Sequence, residues 1–282
     1  MENEKLENQV GSDNPEIENR EEQIENSAEQ IAENTAESAE ARKQYADKMH
    51  KEFENFKKKT LLSMIDHTLL KQDVTEAGIK KLCNEADKYG FYGVCVHPVH
   101  IRECKRFLKP DGNVKIISVV GFPFGEELTK VKAYQARMAV KEGAHEIDMV
   151  INISKVKAGD YRYVKREIKK VIFAARGRDV KVILETCLLT PKEMEKSAAA
   201  AAGAGAEFVK TSTGYFGEGA TVVNVKILKS AVGAGCKVKA SGGIRSAEEA
   251  IAMVEAGAER LGTSSGVKIA EELEQALPSS LI

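Results

Sequence analysis

From residue 61 onward, short runs of aliphatic and β-branched residues alternate with stretches whose apolar positions recur every three or four residues. The short runs predict strands over Ser63–Thr68, Tyr92–His97, Lys115–Gly121, His145–Ile151, Lys181–Thr186, Glu207–Ser212, Lys237–Ser241 and Arg260–Thr263. Helices are predicted over Thr75–Tyr89, Pro98–Leu108, Leu128–Glu142, Tyr161–Arg176, Pro191–Ala204, Val222–Val232 and Ala247–Ala256, with a short one over Val267–Leu273. Gly90, Gly143, Gly205 and Gly257 read as helix C-caps. Eight strands, each followed by a helix, suit a TIM (β/α)8 barrel. The alternative is a doubly wound open sheet, which usually carries a Gly-rich loop after its first strand. Here that strand runs into Leu69-Leu70-Lys71, and Gly203-Ala204-Gly205 precedes a strand, so it reads as helix termination.

Charged residues interrupt three of the apolar runs. Asp148 lies in Glu146-Ile-Asp-Met-Val-Ile151, Lys210 in Phe208-Val-Lys-Thr-Ser212, and Lys239 in Lys237-Val-Lys-Ala-Ser241. Strand side chains alternate. With Val209, Val238, Ile147 and Met149 facing the helices, Lys210, Lys239 and Asp148 point into the barrel. An inward charge is costly unless paired. A lysine is nucleophilic only as the free amine, and both burial and a second nearby ammonium favour that form. On this reading Lys210 attacks a carbonyl, Lys239 helps to neutralise it, and Asp148 shuttles protons. A set of structural ion pairs at the barrel mouth is the alternative.

Ser241-Gly242-Gly243 follows the seventh strand, and Gly262-Thr263-Ser264-Ser265-Gly266 follows the eighth and opens a helix. These loops are the usual phosphate site of such barrels: glycines let backbone N–H groups approach an anion, and serines cap the helix, with plain turn chemistry as the alternative.

The composition adds a division. Residues 1–50 hold 14 acidic residues against 5 Lys/Arg, whereas residues 51–282 hold 29 against 37, so a net charge of −1 conceals segments of −9 and +8. We expect 1–50 to be an acidic, low-complexity extension, disordered or transiently helical, and 51–282 to be the barrel domain. Ile17, Ile24 and Ile31 recur every seven residues, a pattern of an amphipathic helix or marginal coiled coil that binds a partner or a second copy. The charge balance argues against nucleic acid. No apolar stretch is long enough to span a membrane, and the N-terminus lacks the apolar core of a secretory signal. Five widely spaced cysteines without a C-x-x-C pair fit free thiols in a reducing cytoplasm.

The chain resembles the deoxyribose-phosphate aldolase family. The stretches that carry the resemblance are Ile65-Asp-His-Thr-Leu-Leu70, Gly93-Val-Cys-Val96, Gly121-Phe-Pro-Phe-Gly125, Glu146-Ile-Asp-Met-Val-Ile-Asn152, Val182-Ile-Leu-Glu-Thr-Cys187, Phe208-Val-Lys-Thr-Ser-Thr-Gly214, Val238-Lys-Ala-Ser-Gly-Gly-Ile-Arg245 and Gly262-Thr-Ser-Ser-Gly266. They run in family order across the barrel. The resemblance implies reversible cleavage of 2-deoxy-D-ribose 5-phosphate to D-glyceraldehyde 3-phosphate and acetaldehyde through a lysine Schiff base. It implies Lys210 as the Schiff-base lysine and Asp148 with Lys239 as proton donor and acceptor. It places Asp66, Cys95, Lys181 and Thr211 around the substrate and Gly214, Gly242, Gly243, Ser264 and Ser265 around its phosphate. It implies no metal and no organic cofactor. The expected partners are small phosphosugars and aldehydes; a homodimer is compatible with the sequence. Another lysine-dependent phosphosugar aldolase, or a barrel with an added tail-mediated role, stands as the alternative. Tyr215-Phe216-Gly217 falls in a loop that varies in the family, and His97-Pro98 replaces a common Asn-Pro.

Other polar residues have plainer readings. Cys95 lacks a His–carboxylate pair in the sequence and reads as pocket wall. His67 reads as a packed, hydrogen-bonded side chain, and His97 with His100 as helix-start residues without a third metal ligand. Glu185 reads as a partner for a lysine, and Lys165, Arg166, Lys169 and Lys170 as a solvated helix face.

Overall fold

The structure, a computed structural model, describes residues 58–275. The acidic extension over 1–50, its isoleucine repeat and the last seven residues of the chain lie outside the described residues. Eight parallel strands close in sequence order into one barrel: β1 (Ile65–Leu69), β2 (Gly93–Val96), β3 (Lys115–Val120), β4 (Glu146–Val150), β5 (Asp179–Ile183), β6 (Phe208–Lys210), β7 (Lys237–Ser241) and β8 (Arg260–Thr263). The helices around it are α1 (Glu76–Tyr89), α2 (Ile101–Phe107), α3 (Thr129–Glu142), α4 (Ile153–Lys157), α5 (Tyr161–Ala174), α6 (Pro191–Ala202), α7 (Val222–Val232), α8 (Ala247–Glu255) and α9 (Gly266–Gln275). Closure leaves no free sheet edge. Among the described residues, no helix is long and apolar enough to cross a membrane.

Helix ends follow local chemistry. Gly90, Gly143, Gly205 and Gly257 all have positive φ. Each sits one residue before an amide that bonds back to the last turn: Phe91 to Ala86, Ala144 to Ala139, Ala206 to Ala201 and Ala258 to Met253, at 2.9–3.2 Å. This is the closing bond of a Schellman motif, and the chain leaves it directly into the next strand. At the other ends, Thr190 with Glu193 and Ser246 with Glu249 form capping boxes on α6 and α8.

Four elements differ from the sequence reading. The predicted helix over Pro98–Leu108 begins as a 3-10 turn, Pro98–His100, and becomes α-helical only at Ile101. Strand β5 begins at Asp179, two residues early, since the exposed Asp179 carries no hydrophobic signal, and it ends at Ile183, before Glu185 turns left-handed. Strand β6 is only three residues long. The five-residue α4 is too short to show a period, although Asn152 caps it by accepting from the Lys155 amide at 2.8 Å.

The core has two compartments. Outward-facing Val94, Val96, Ile147, Met149, Val182, Val209, Val238 and Leu261 pack with the helices in one continuous apolar layer. Inside the barrel, Cys95, Ile117 and Val119 join Leu70 and Phe122 in a smaller cluster. Between the outer helices, buried Lys132 of α3 meets buried Glu167 of α5 at 3.0 Å and donates to the Val150 carbonyl at 2.9 Å. Burial pushes both members of that pair towards their neutral forms.

Gly93 leaves space for the barrel interior: a Cβ there would overlap the Ile117 side chain and lie 2.6 Å from the Lys115 carbonyl oxygen. Gly93→Ala should destabilise the fold by about 1–3 kcal/mol, read from the denaturant midpoint. An unchanged midpoint would show that strands β2 and β3 can separate without cost.

Candidate active site

The barrel interior carries charge on six of its strands. Asp66 comes from β1, Glu146 and Asp148 from β4, Lys181 from β5, Lys210 from β6, Lys239 from β7 and Arg260 from β8. All are buried, and parallel register sets Asp148 beside Lys181, Lys210 beside Lys239, and Lys239 beside Arg260. The parity read from the sequence therefore holds for Asp148, Lys210 and Lys239.

These groups form a closed ring of contacts. Arg260 donates to Asp66 at 3.2 Å and to Glu146 at 3.1 Å. Glu146 pairs with Lys181, which also donates to Asp148 Oδ1 at 2.9 Å. Asp148 Oδ2 accepts from Lys239 at 2.9 Å, and Lys239 pairs with Asp66, which closes the circuit. Alternating sign around the ring balances three cations against three anions. Lys210 is the seventh member: it donates to Asp148 Oδ2 at 2.8 Å, the oxygen that Lys239 already uses, and has no carboxylate of its own. When every group is ionised the set carries one excess positive charge, and loss of the Lys210 proton removes it.

The electrostatics follow from these contacts. Burial alone would raise the Asp148 carboxyl, but the ammonium groups of Lys181, Lys210 and Lys239 reverse that and hold it well below its ordinary 3.8. Asp66 is likewise lowered, burial being overcome by Lys239, Lys181 and Arg260. Burial would lower the Lys239 ammonium, yet Asp148 and Asp66 raise it above 10.5, so Lys239 stays a cation. At the floor, the Arg260 guanidinium lies 3.3 Å from the Tyr92 ring centroid and 5.0 Å from that of Phe208, and the Tyr92 hydroxyl donates to Glu146. Gly262 faces the interior, where an added Cβ would lie 3.0 Å from Lys239 Cε. That strand position is bare because the lysine stem crosses it.

Above the ring, Cys95 forms an apolar wall with Ile117, Val119 and Leu70. Burial, then the Asp148 charge, pushes its thiol up to about 11, so it stays protonated near neutral pH. Thr211 turns away from the ring, since its hydroxyl donates to the Ser241 carbonyl and accepts from the Ser241 amide, both at 3.0 Å. Lys181 is wholly enclosed between Glu146 and Asp148.

The three glycines assigned to phosphate, Gly214, Gly242 and Gly243, all have positive φ. Their loops interlock. Ala220 donates to the Gly242 carbonyl at 2.9 Å, and a Cβ on Gly242 would lie 3.1 Å from Gly219 Cα and 3.4 Å from Gly214 Cα. The β8 loop joins them through the Thr263 hydroxyl, which donates to the Ile244 carbonyl at 2.6 Å. Ser265 directly precedes α9, its carbonyl accepting from the Ile269 amide at 3.0 Å, and Ser264 before it is exposed.

Glu185, read from the sequence as a partner for a lysine, feels the Lys210 charge but makes its hydrogen bonds elsewhere. Its oxygens accept from the Thr213 amide and hydroxyl and from the Cys187 thiol. It is buried, its φ of 55° is left-handed, and burial raises its carboxyl. It thereby fixes the loop that leads into Gly214. Tyr215, from the variable loop, crosses the mouth: its hydroxyl donates to the Leu70 carbonyl at 2.5 Å and its ring meets Phe122 edge-on at 5.3 Å. His97 Nε2 lies 2.9 Å from the same carbonyl, and His67 and His100 contact Glu85 and Glu103. Among the described residues, no three His, Cys, Asp or Glu side chains converge as a metal site. The sequence reading missed Glu146 and Arg260 as parts of the ring. The parity rule that found Asp148 and Lys239 would have reached both, each being two residues away on the strand or paired by register.

Comparison with known proteins supplies a frame for this geometry. The profile of the DeoC/LacD family of aldolases matches residues 60–271. A deoxyribose-phosphate aldolase from Thermoanaerobacter sp. (strain X514) is 53% identical over 215 residues, covering 75% of this chain and 96% of that protein. One from Thermococcus gammatolerans is 53% identical over 210 residues, covering 73% and 93%. Among solved structures, the tetrameric deoxyribose phosphate aldolase from Aeropyrum pernix superposes with a TM-score of 0.71 at 36% identity, covering 78% of this chain and 93% of that one.

The charge count separates two substitutions of similar volume. Asp148→Asn leaves three lysines without their shared carboxylate and should cost about 3–5 kcal/mol of stability. Lys210→Met leaves the ring balanced and should change stability by less than about 1.5 kcal/mol. Because Asp148 is lowered in the fold, its contribution is complete above the unfolded value of 3.8 and is lost as pH falls through the folded value. The difference in unfolding free energy between the wild type and Asp148→Asn should therefore hold constant above pH 3.8 and shrink below it. Equal losses in the two variants would contradict the count.

Proposed function

The chain belongs to the DeoC/LacD family of aldolases, and we propose from that premise and the interior ring that Lys210 is the amine on which its chemistry takes place. The enzyme is a lyase that reversibly cleaves 2-deoxy-D-ribose 5-phosphate to D-glyceraldehyde 3-phosphate and acetaldehyde. The observation that carries the assignment of Lys210 is its position: last residue of β6, at the C-terminal end of the barrel, and the one cation of the ring without its own anion.

The uncharged Lys210 Nζ adds to the aldehyde carbon of the open-chain sugar to give a carbinolamine. Loss of water, with proton transfer through Asp148, gives a protonated iminium. That iminium restores the positive charge that the free amine had given up, and Asp148 Oδ2, held 2.8 Å from Nζ, stabilises it. Withdrawal of the proton from the C3 hydroxyl breaks the C2–C3 bond, and its electron pair passes to the iminium nitrogen to form an enamine. D-Glyceraldehyde 3-phosphate departs. The enamine takes up a proton at C2, and water then releases acetaldehyde and the free lysine. Lys239, a cation in the resting ring, orders Asp148 and acts with it as the proton donor and acceptor pair.

The amides of the interlocked loops after β6, β7 and β8, with Gly214, Gly242, Gly243, Ser264 and Ser265, bind the phosphate, while Asp66, Cys95, Lys181 and Thr211 shape the region below it. Free thiols at all five cysteines support a reducing cytoplasmic setting. We assign catalysis to the barrel domain, 51–282, and place the 1–50 extension outside it. A homodimer accords with this reading.

The direct test is a coupled assay for D-glyceraldehyde 3-phosphate release. Lys210→Leu should abolish turnover. Lys239→Leu leaves three cations including Lys210 against three anions, so the Lys210 proton is needed for balance; kcat should fall by about 10²–10⁴-fold and the pH–rate profile should move to higher pH. An unmoved profile would refute this account of activation. Glu185→Leu removes the acceptors for Thr213, so KM should rise for the phosphorylated sugar and hold for unphosphorylated 2-deoxyribose. A parallel rise for both would show that Glu185 does not act through the phosphate loop.

A further inference from the structure

The outer face of α5 is a concentration of unpaired positive charge. Arg162, Lys165, Arg166, Lys169 and Lys170 are all exposed, and Arg176 and Arg178 follow in the next loop. None has an ion-pair partner among the described residues. Elsewhere on the outer surface several cations are paired, among them Lys157 with Glu193 at 2.7 Å, Lys229 with Glu259 at 2.9 Å and Lys237 with Glu207 at 2.8 Å. On α5 the neighbours three and four residues apart are themselves cations, an arrangement that destabilises an isolated helix. The one acid of the helix, Glu167, is buried and engaged with Lys132. At 3.6 residues per turn the five cations occupy an arc of roughly 140°. Phe173 lies at its centre and is 87% exposed. Beside the arc, Thr129, Tyr163, Arg166, Glu167 and Lys170 line a shallow cleft of about 270 Å³, where the Glu167 carboxylate is already engaged by Lys132.

A ligand for this face must be polyanionic and must also carry apolar side chains for Phe173. The chain itself contains such a segment. Residues 13–40 hold ten acids and a single base, Arg20, with Ile17, Ile24 and Ile31 at seven-residue intervals among them. We propose that this segment of the same chain docks on the outer face of α5, its carboxylates against Arg162, Lys165, Arg166, Lys169 and Lys170 and its isoleucines over Phe173. A segment with ten acids and one base then meets the five cations of α5 at one surface. Reach does not limit the contact. The chain from residue 40 to residue 58 extends to roughly 60 Å, whereas a compact body of 218 residues has a radius of gyration of about 17 Å. Covalent attachment gives the segment a high effective concentration. A separate polyanion such as RNA or an anionic membrane has to displace it. The helix face is remote from the ring, so the contact is independent of the catalytic assignment.

Zero-length carbodiimide coupling of the full-length protein, as an equal mixture of heavy-nitrogen and ordinary chains, tests this. We expect amide links from Glu18–Glu40 to Lys165, Lys169 and Lys170, joining peptides of the same isotope. They should be strong at about 0.05 M salt and lost at about 0.5 M, where the Debye length falls to roughly 4 Å. Arg162→Glu with Arg166→Glu and Arg176→Glu leaves every reactive lysine in place and should reduce those links several-fold. Reversal of Glu21, Glu22, Glu25 and Glu29 to Lys, which leaves the barrel untouched, should do the same at the remaining tail carboxylates. Links spread evenly over Lys229, Lys237 and the α5 lysines, mixed-isotope pairs showing docking on a second copy, or a yield unchanged by either reversal would overturn the proposal. So would links that vanish only when RNA or anionic vesicles are removed.

Discussion

Asp148 is the point on which the interior depends. One carboxylate on β4 neutralises ammonium groups from three further strands, and it is wholly buried. A charge so placed is tolerated only where the partners arrive from several directions at fixed distance, and a closed parallel barrel provides that. Register puts Lys181 beside it, and the β6–β7 pairing brings Lys210 and Lys239 together on the far side. The opposite pole of the ring, Arg260 between Asp66 and Glu146, is held by the two aromatic rings on which the guanidinium rests. The ring serves both stability and reactivity. Six groups balance, and the imbalance falls on the amine nearest the mouth.

The iminium carries the same single positive charge as the ammonium it replaces, so the charge count of the ring is the same before and after it forms. The charge on Lys210 is given up to make a nucleophile and regained when the iminium forms, while the surrounding carboxylates and cations need not move. The loops above the ring are tied to one another: Glu185 to Thr213, Gly242 to Ala220 and Thr263 to Ile244. Tyr215 spans from the β6 loop to the end of β1. The reactive carbon and the phosphate are thus addressed by parts of the barrel that share strands, so the distance between the two subsites is fixed by the backbone.

Much of this was legible in the sequence because strand parity is strict. Val209 and Val238 face the helices, so Lys210 and Lys239 had to face inward, and the four glycines that end helices announced both a left-handed residue and the strand that follows. What escaped has physical reasons. Glu146 and Arg260 sit at strand starts, where a charge also suits solvent, so parity gives their direction but not their enclosure. Glu185 lies beyond the end of its strand, where alternation stops. Its partner depends on a left-handed backbone turn that no residue type there predicts. The Lys132–Glu167 pair joins two helices distant in sequence, and each residue looks like an ordinary surface charge until the helices pack.

Reductive capture measures the central claim most directly: borohydride added to the full-length enzyme with acetaldehyde, followed by peptide mapping. A two-carbon adduct confined to Lys210, with Lys181 and Lys239 unmodified, is the predicted result. A label on either of those lysines, or none on a properly folded protein, would contradict the assignment of the redundant charge to Lys210.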